Sequence, residues 1–311
     1  MRLLVIIILL HFYSAAYSQA NKYVNYINSH SARKHLNYLA SDELEGRETG
    51  EKGQKLAGAY LMQNFSDFGL PPLQGEYFQR FNLRVTSPDK IKMTINGDTL
   101  NYFEDFIHNS DFSNVDFSET SSVFIGYGIE SDNYNEFEGV DVQDKVVFML
   151  DNEPQNKKGK FLVSGDSNHS DWNNRTMKID NLVSKGVKAI IIINSNFELY
   201  TTSYAHSFKS SKMKLATDSY DIDVPLVFIS ETKANILLKK GGISMALNKI
   251  ASKISNKGKS WSKELSLKIG LHCNMVNDKI TSENVFGFVE GTDKKDEVVI
   301  VTAHYDHLGK H

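Results

Sequence analysis

Residues able to do chemistry crowd into the last stretch of the sequence. There the apolar run Val298-Val299-Ile300-Val301 gives way to His304, Asp306, His307 and His311. Alternate side chains of an extended strand point to opposite faces, so His304 and Asp306, two apart, project the same way. In open α/β sheets, ligands collect beyond the carboxyl ends of strands, which is where this pair falls. Imidazole is a good zinc ligand, and a carboxylate can orient it from behind. Taken alone, a His-x-Asp at a strand end is more often a hydrogen-bonded pair than a site. His30, His35, His108, His169, His206 and His272 lack ligand spacing and read as surface or core histidines. The sequence holds no nucleophile elbow, phosphate loop, dinucleotide fingerprint or His-Glu-x-x-His helix. Spacing by itself therefore leaves the reaction open.

The elements that must position these residues show in the hydrophobic periodicity. Ala32, Leu36, Leu39 and Ala40 share a helical face behind a Ser31 cap. Ala57, Tyr60, Leu61, Phe65 and Phe68 share another, closed by Gly69 and Pro71-Pro72. The polar, Gly-punctuated connection over residues 42–50 reads as a solvated loop, in which Arg47 beside Gly46 is available to serve a site. Ile91, Met93 and Ile95 before Asn96-Gly97 predict a hairpin with a tight turn. Strands are predicted over 123–128, 145–150, 189–193 and 224–230, with helices over 177–185 and 231–239 between and after them. That alternation marks an α/β module over residues 118–240, left at Gly241-Gly242. Strand patterns return over 265–271 and 284–290, and residues 298–303 read as a strand buried on both faces.

Composition narrows the classes. With 311 residues, 41% apolar and 23% charged, the chain can bury an ordinary globular core. A formal net charge of -3 and the lack of a basic block with interleaved aromatics exclude a nucleic-acid binder. Arg2, the apolar run over 3–10 and Ser14-Ala15-Ala16-Tyr17-Ser18 have the pattern of a signal peptide cut before Gln19. The run is too short for a stable membrane span. Cys273 is the single cysteine, so no intrachain disulfide forms. The sequons at Asn64, Asn168 and Asn174 would matter only in a glycosylating host.

Several segments together resemble the zinc exopeptidases with an inserted protease-associated domain, metallopeptidase family twenty-eight. They are His35-Leu36-x-Tyr38-Leu39-Ala40-Ser41-Asp42-x-Leu44-Glu45-Gly46-Arg47, then Phe68-Gly69-Leu70 and Phe124-Ile125-Gly126-Tyr127-Gly128. Gly139-Val140-Asp141-Val142-Gln143-Asp144-Lys145-Val146-Val147 follows. The last are Glu283-Asn284-Val285-Phe286-Gly287-Phe288-Val289-Glu290-Gly291 and Ala303-His304-Tyr305-Asp306-His307-Leu308-Gly309. They fall in the family's order along nearly the whole chain after the leader.

The resemblance implies an α/β fold, a mixed zinc-peptidase sheet with flanking helices, interrupted by the protease-associated domain. It implies a two-zinc site in which His304 is a metal ligand and Asp306 a catalytic residue supporting it, and peptides or proteins with free amino termini as substrates. The remaining ligands and the general base of the family pattern lie beyond His311, so the chain reads as an N-terminal portion, inactive as it stands. The expected layout is a signal peptide over 1–18, an N-terminal part of the peptidase domain over 19–117, the inserted domain over 118–240 and the start of the peptidase core over 241–311. The expected location is secreted or periplasmic. Two other readings stay open: a secreted non-catalytic binding protein built on the inserted domain, and a carboxypeptidase-like or cyclase-like relative of the same fold.

Overall fold

The computed structural model describes residues 28–108, 114–217 and 224–310. The signal peptide expected over 1–18 and His311 lie outside them. The chain divides into two compact units, one made of residues 28–82 with 280–310 and the other of Leu83–Lys279.

The second unit is built on a mixed sheet. Its strands are β1 (Phe78–Ile95), β2 (Asp98–Leu100), β3 (Phe106–His108) and β4 (Val115–Phe124), a small separate pair β5 (Glu130–Ser131) and β6 (Tyr134–Asn135), then β7 (Val146–Leu150), β8 (Ala189–Asn194), β9 (Lys212–Leu215), β10 (Leu226–Ser230) and β11 (Lys263–Val285). The main sheet runs β2-β1-β11-β4-β7-β8-β10-β3, with β9 added on β1. β4, β7, β8 and β10 are mutually parallel, while β11 on β4 and β3 on β10 are antiparallel. The fold is therefore α/β, with a large mixed sheet and flanking helices.

The parallel strands read as continuous apolar runs because both of their faces are covered. In β8, Ile191 and Ile193 join Phe124, Phe148 and Ile229 on one face, where helices Glu231–Lys240 and Leu247–Lys257 bring Leu237, Leu238, Ile250 and Ile254. Ile190 and Ile192 face the other way, against Ile179 and Leu182 of helix Arg175–Ser184. Each fully buried aliphatic side chain contributes about 1.5–3 kcal/mol, so this alternation is the main stabilising pattern of the unit. The predicted hairpin forms, with Ile95 opposite Asp98 and both Asn96 (φ 50°) and Gly97 (φ 84°) in the left-handed region that its two-residue turn requires.

The strand expected over 123–128 runs over Val115–Phe124, and the loop expected over 42–50 holds a 3-10 turn with Leu44 buried; four other elements depart from the sequence pattern. The first helix, Ser29–Leu39, is capped by Asn28 rather than Ser31, and the Asn28 Oδ1 accepts from the Ser31 amide at 2.9 Å. The stretches 265–271 and 284–290, expected as two strands, are replaced by the single strand β11, which ends at Val285. Helix Leu247–Lys257 was not anticipated. The fourth departure is residues 298–303, expected as a strand buried on both faces. Val298 to Val301 are 77–93% exposed, and no described residue hydrogen-bonds to the backbone of 298–303. A strand is buried by neighbouring strands, and no described strand lies beside this one. No helix among the described residues is long and apolar enough to cross a membrane.

Candidate functional site

In the unit formed by residues 28–82 and 280–310, the 3-10 turn Asp42–Arg47 leads into helix Lys52–Asp67. The turn reverses sharply, with positive φ at Glu45, Gly46 and Arg47. Its exposed peptide groups meet the chain carrying the sequence-predicted site. The His307 amide donates to the Arg47 carbonyl at 2.9 Å, and the Gly309 amide to the Gly46 carbonyl at 3.3 Å. A side chain at Gly46 would run into the Gly309 backbone. The Arg47 guanidinium donates to the Tyr305 carbonyl at 2.7 Å and also to the Leu39 carbonyl. One arginine thus ties the first helix, the turn and the site segment together.

Side chains complete the clasp. The Thr49 hydroxyl donates to Asp306 Oδ2 at 2.6 Å, within the range of a charge-assisted bond. The Tyr305 hydroxyl accepts from Gln54 Nε2 at 2.6 Å and donates to the Glu283 carbonyl at 2.7 Å. Burial, with the Glu283 charge nearby, pushes the Tyr305 phenol up to about 12, so it stays a neutral donor. The buried Glu283 carboxylate is in turn paired with Lys55.

The His304 imidazole is 99% exposed, with Nδ1 3.9 Å from Asp306 Oδ1, beyond hydrogen-bond reach. His307 is held through its backbone. The remaining histidines stand apart: His35 meets the Tyr60 hydroxyl, His169 Glu153, and His272 Asp116. Buried His108 meets the Tyr102 hydroxyl, and burial lowers it to about 3. No group of three or more His, Cys, Asp or Glu able to hold a metal converges among the described residues. One imidazole and one carboxylate fall short of the three or four protein ligands of a zinc. The donor types suit zinc, but the described residues by themselves do not make its site.

Thr49 and Gln54 carry no signal of their own in the sequence, and Tyr305 shows only as part of the family-like segment over 303–309. Arg47 and Asp306 are the members of the clasp that the sequence marks.

The Leu83–Lys279 unit has a polar crevice of its own at the carboxyl ends of β4, β7, β8 and β10. Its volume is about 450 Å³, and Tyr127, Asp151, Glu153, Ser195, Glu231 and Ser252 contribute to its lining. Asp151 accepts from Arg175 Nε at 2.7 Å and from Asn194 Nδ2 at 2.9 Å. Lys178 donates to the Asp151 and Asn152 carbonyls, and burial lowers it to about 8. The buried Glu136 carboxylate accepts from the Tyr127 amide at 2.7 Å and from the Tyr134 hydroxyl at 2.7 Å. Burial raises it to about 7.

No protein-family model matches the chain, and no curated protein does. Among solved structures, the chain overlaps an aminopeptidase from Aneurinibacillus sp. strain AM-1 at 17% identity and a TM-score of 0.46, covering 86% of this chain and 50% of that one. A peptidase M28 precursor from Shewanella amazonensis overlaps at 15% identity and a TM-score of 0.38, covering 89% and 55%. BSAP, a zinc aminopeptidase from Bacillus subtilis, overlaps at 15% and 0.37, covering 89% and 51%. The chain spans about half the length of these structures. All three scores lie below 0.5, so the functional reading rests on the residues rather than on the overlaps.

Proposed function

We propose that this chain is the N-terminal part of a secreted zinc aminopeptidase, exported by its leader, acting on peptides at their free amino termini. The observation that carries the reading is the clasp between the Asp42–Arg47 turn with Thr49 and the segment 304–309. It holds the Asp306 carboxylate by a 2.6 Å bond and leaves the His304 imidazole open to the outside. The resemblance of the same two segments to family twenty-eight supports the assignment. In this reading His304 contributes one of the imidazoles of a two-zinc site and Asp306 supports it. Zinc, when bound in such a site, polarises the scissile carbonyl and activates water. Residues 118–240 form the protease-associated insertion.

With two donors where zinc needs three or four, the 311-residue chain alone is expected to leave an aminoacyl-anilide unhydrolysed with added zinc. The gene beyond codon 311 is expected to encode an Asp, a Glu-Glu pair, a further Asp and a His in that order. A stop codon there with no continuation counts against the proposal, as does zinc-dependent turnover by the 311-residue chain that His304→Ala abolishes.

The crevice of the Leu83–Lys279 unit favours a second reading, a secreted binding protein. That reading requires peptide binding that survives chelation and His304→Ala but weakens in Glu231→Gln.

A further inference from the structure

The crevice of the Leu83–Lys279 unit contains a polar group that the fold itself does not use. Tyr127 is 9% exposed, packed among the apolar core residues and forming part of the crevice lining. Its amide is bonded to Glu136, but no group among the described residues bonds to its hydroxyl. Buried hydroxyls are normally partnered, because leaving one unbonded costs about 1–3 kcal/mol. Burial, with the Glu136 and Glu231 charges, pushes the phenol up to about 12. At neutral pH it is therefore an uncharged group with a lone pair and a proton to offer.

The charges around the crevice decide what that hydroxyl meets. No Lys, Arg or His is among the lining residues. Two of the lining carboxylates are already satisfied, Asp151 by Arg175 and Asn194, and Glu153 by Ser170 and His169. Glu231 is different. It opens helix Glu231–Lys240, its carboxylate has no partner among the described residues, and its charge reaches the Tyr127 phenol. Leu150, Ile193 and Leu247, all buried, supply apolar lining beside these two groups. Apolar surface next to an unpaired carboxylate and a neutral phenol suits a side chain with a methylene stem and a cationic head.

From the unpartnered hydroxyl, the unpaired carboxylate and the cation-free lining we infer that this crevice binds the lysine or arginine side chain of an extended peptide. The stem lies on Leu150, Ile193 and Leu247, and the charged head donates to Tyr127 and Glu231. The inference rests on the crevice as a peptide site and is independent of the zinc assignment.

Calorimetric titration of the 311-residue chain at low ionic strength, with EDTA present, tests it. The probes are acetyl-Ala-Ala-Lys-Ala-Ala-amide and the same peptide with norleucine in place of lysine. The acetyl group removes the free amino terminus that an aminopeptidase site would recognise. The lysine peptide is expected to bind at least about tenfold more tightly than the norleucine peptide. Glu231→Gln, at an exposed position, is expected to weaken lysine binding roughly tenfold, and Tyr127→Phe several-fold, with norleucine binding unchanged in both. Equal affinity for the two peptides, lowered alike when Leu247→Ala trims the crevice wall, overturns the inference and leaves the crevice a peptide site. Binding of neither peptide overturns both. Lysine binding that Glu231→Gln does not weaken puts the site elsewhere and also overturns the inference.

Discussion

Thr49 gives its hydroxyl to Asp306 at 2.6 Å, and the choice of residue there is open to a direct test. Thr49→Val keeps the shape and removes the donor, leaving a half-buried carboxylate short of a partner. A loss of roughly 1–2 kcal/mol is expected in denaturant unfolding, reduced below the full charged-bond value by solvent access. Thr49→Ser restores the donor and is expected to lie within about 0.5 kcal/mol of the parent. Glu136 makes a second prediction at this scale. Its pKa rises from 4.5 to about 7 on folding, so between these pH values the unfolded chain releases a proton that the folded chain keeps. Stability from this group is therefore lost as pH rises from 4.5 to 7, by roughly 3 kcal/mol at most. His108, lowered to about 3, pulls the opposite way, losing stability as pH falls below 6.5. The observable is thus the Tm difference between the parent and Glu136→Gln, which is expected to move against the parent across pH 4.5–7. A difference that stays constant would mean Glu136 is ionised throughout. Spacing marks His304 and Asp306 as candidates and only the family resemblance makes them site residues, whereas Thr49 carries neither signal. A threonine 257 positions away announces nothing until the chain has folded.

Elements differ in how openly they declare themselves. β7, β8 and β10 are legible because burial on both faces leaves an unbroken apolar run, and the β1–β2 hairpin because Asn96-Gly97 fits only one kind of turn. Helix Leu247–Lys257 also had its signal, Leu247, Ile250 and Ile254 at helical spacing with Gly258 as its stop, but Gly241-Gly242 just before it read as the end of a module. Residues 298–303 mislead for a different reason. Their pattern states what the segment needs, a neighbour on each side, and a pattern cannot supply the neighbour. The Asp42–Arg47 turn is the element most exposed to damage. Gly46→Ala would place a methyl group against the Gly309 backbone at a φ of 72°. A loss of about 2 kcal/mol or more is expected, measured as a fall in Tm. The same variant is expected to lose amide protection at His307 and Gly309, while protection within β7 and β8 is unchanged.

At the scale of the whole molecule, a domain split by an insertion follows from the family resemblance rather than from local periodicity. One unit draws on residues 28–82 and 280–310, and local periodicity carries no record of which distant segments meet. The mixed α/β class was legible, because it follows from the sum of local patterns. Limited proteolysis checks the uneven stability that the fold implies. Lys294 and Lys295 lie exposed outside any helix or strand, so trypsin is expected to cut there before cutting within β4, β7, β8 or β10. First cleavage inside the parallel strands would mean that the sheet, rather than the 286–303 stretch, opens most readily.

The 257 residues separating Thr49 from Asp306 also set a clock. At about 5–20 residues per second, a ribosome needs roughly 13 to 50 s to travel from one to the other. Through that interval helix Lys52–Asp67 is finished and its partner segment does not yet exist. Gln54 and Lys55 wait for Tyr305 and Glu283, while the whole Leu83–Lys279 sheet is being synthesised. The pair of segments that forms the candidate site therefore closes only after the Leu83–Lys279 sheet has been synthesised, and the early helix passes that interval without its partner segment.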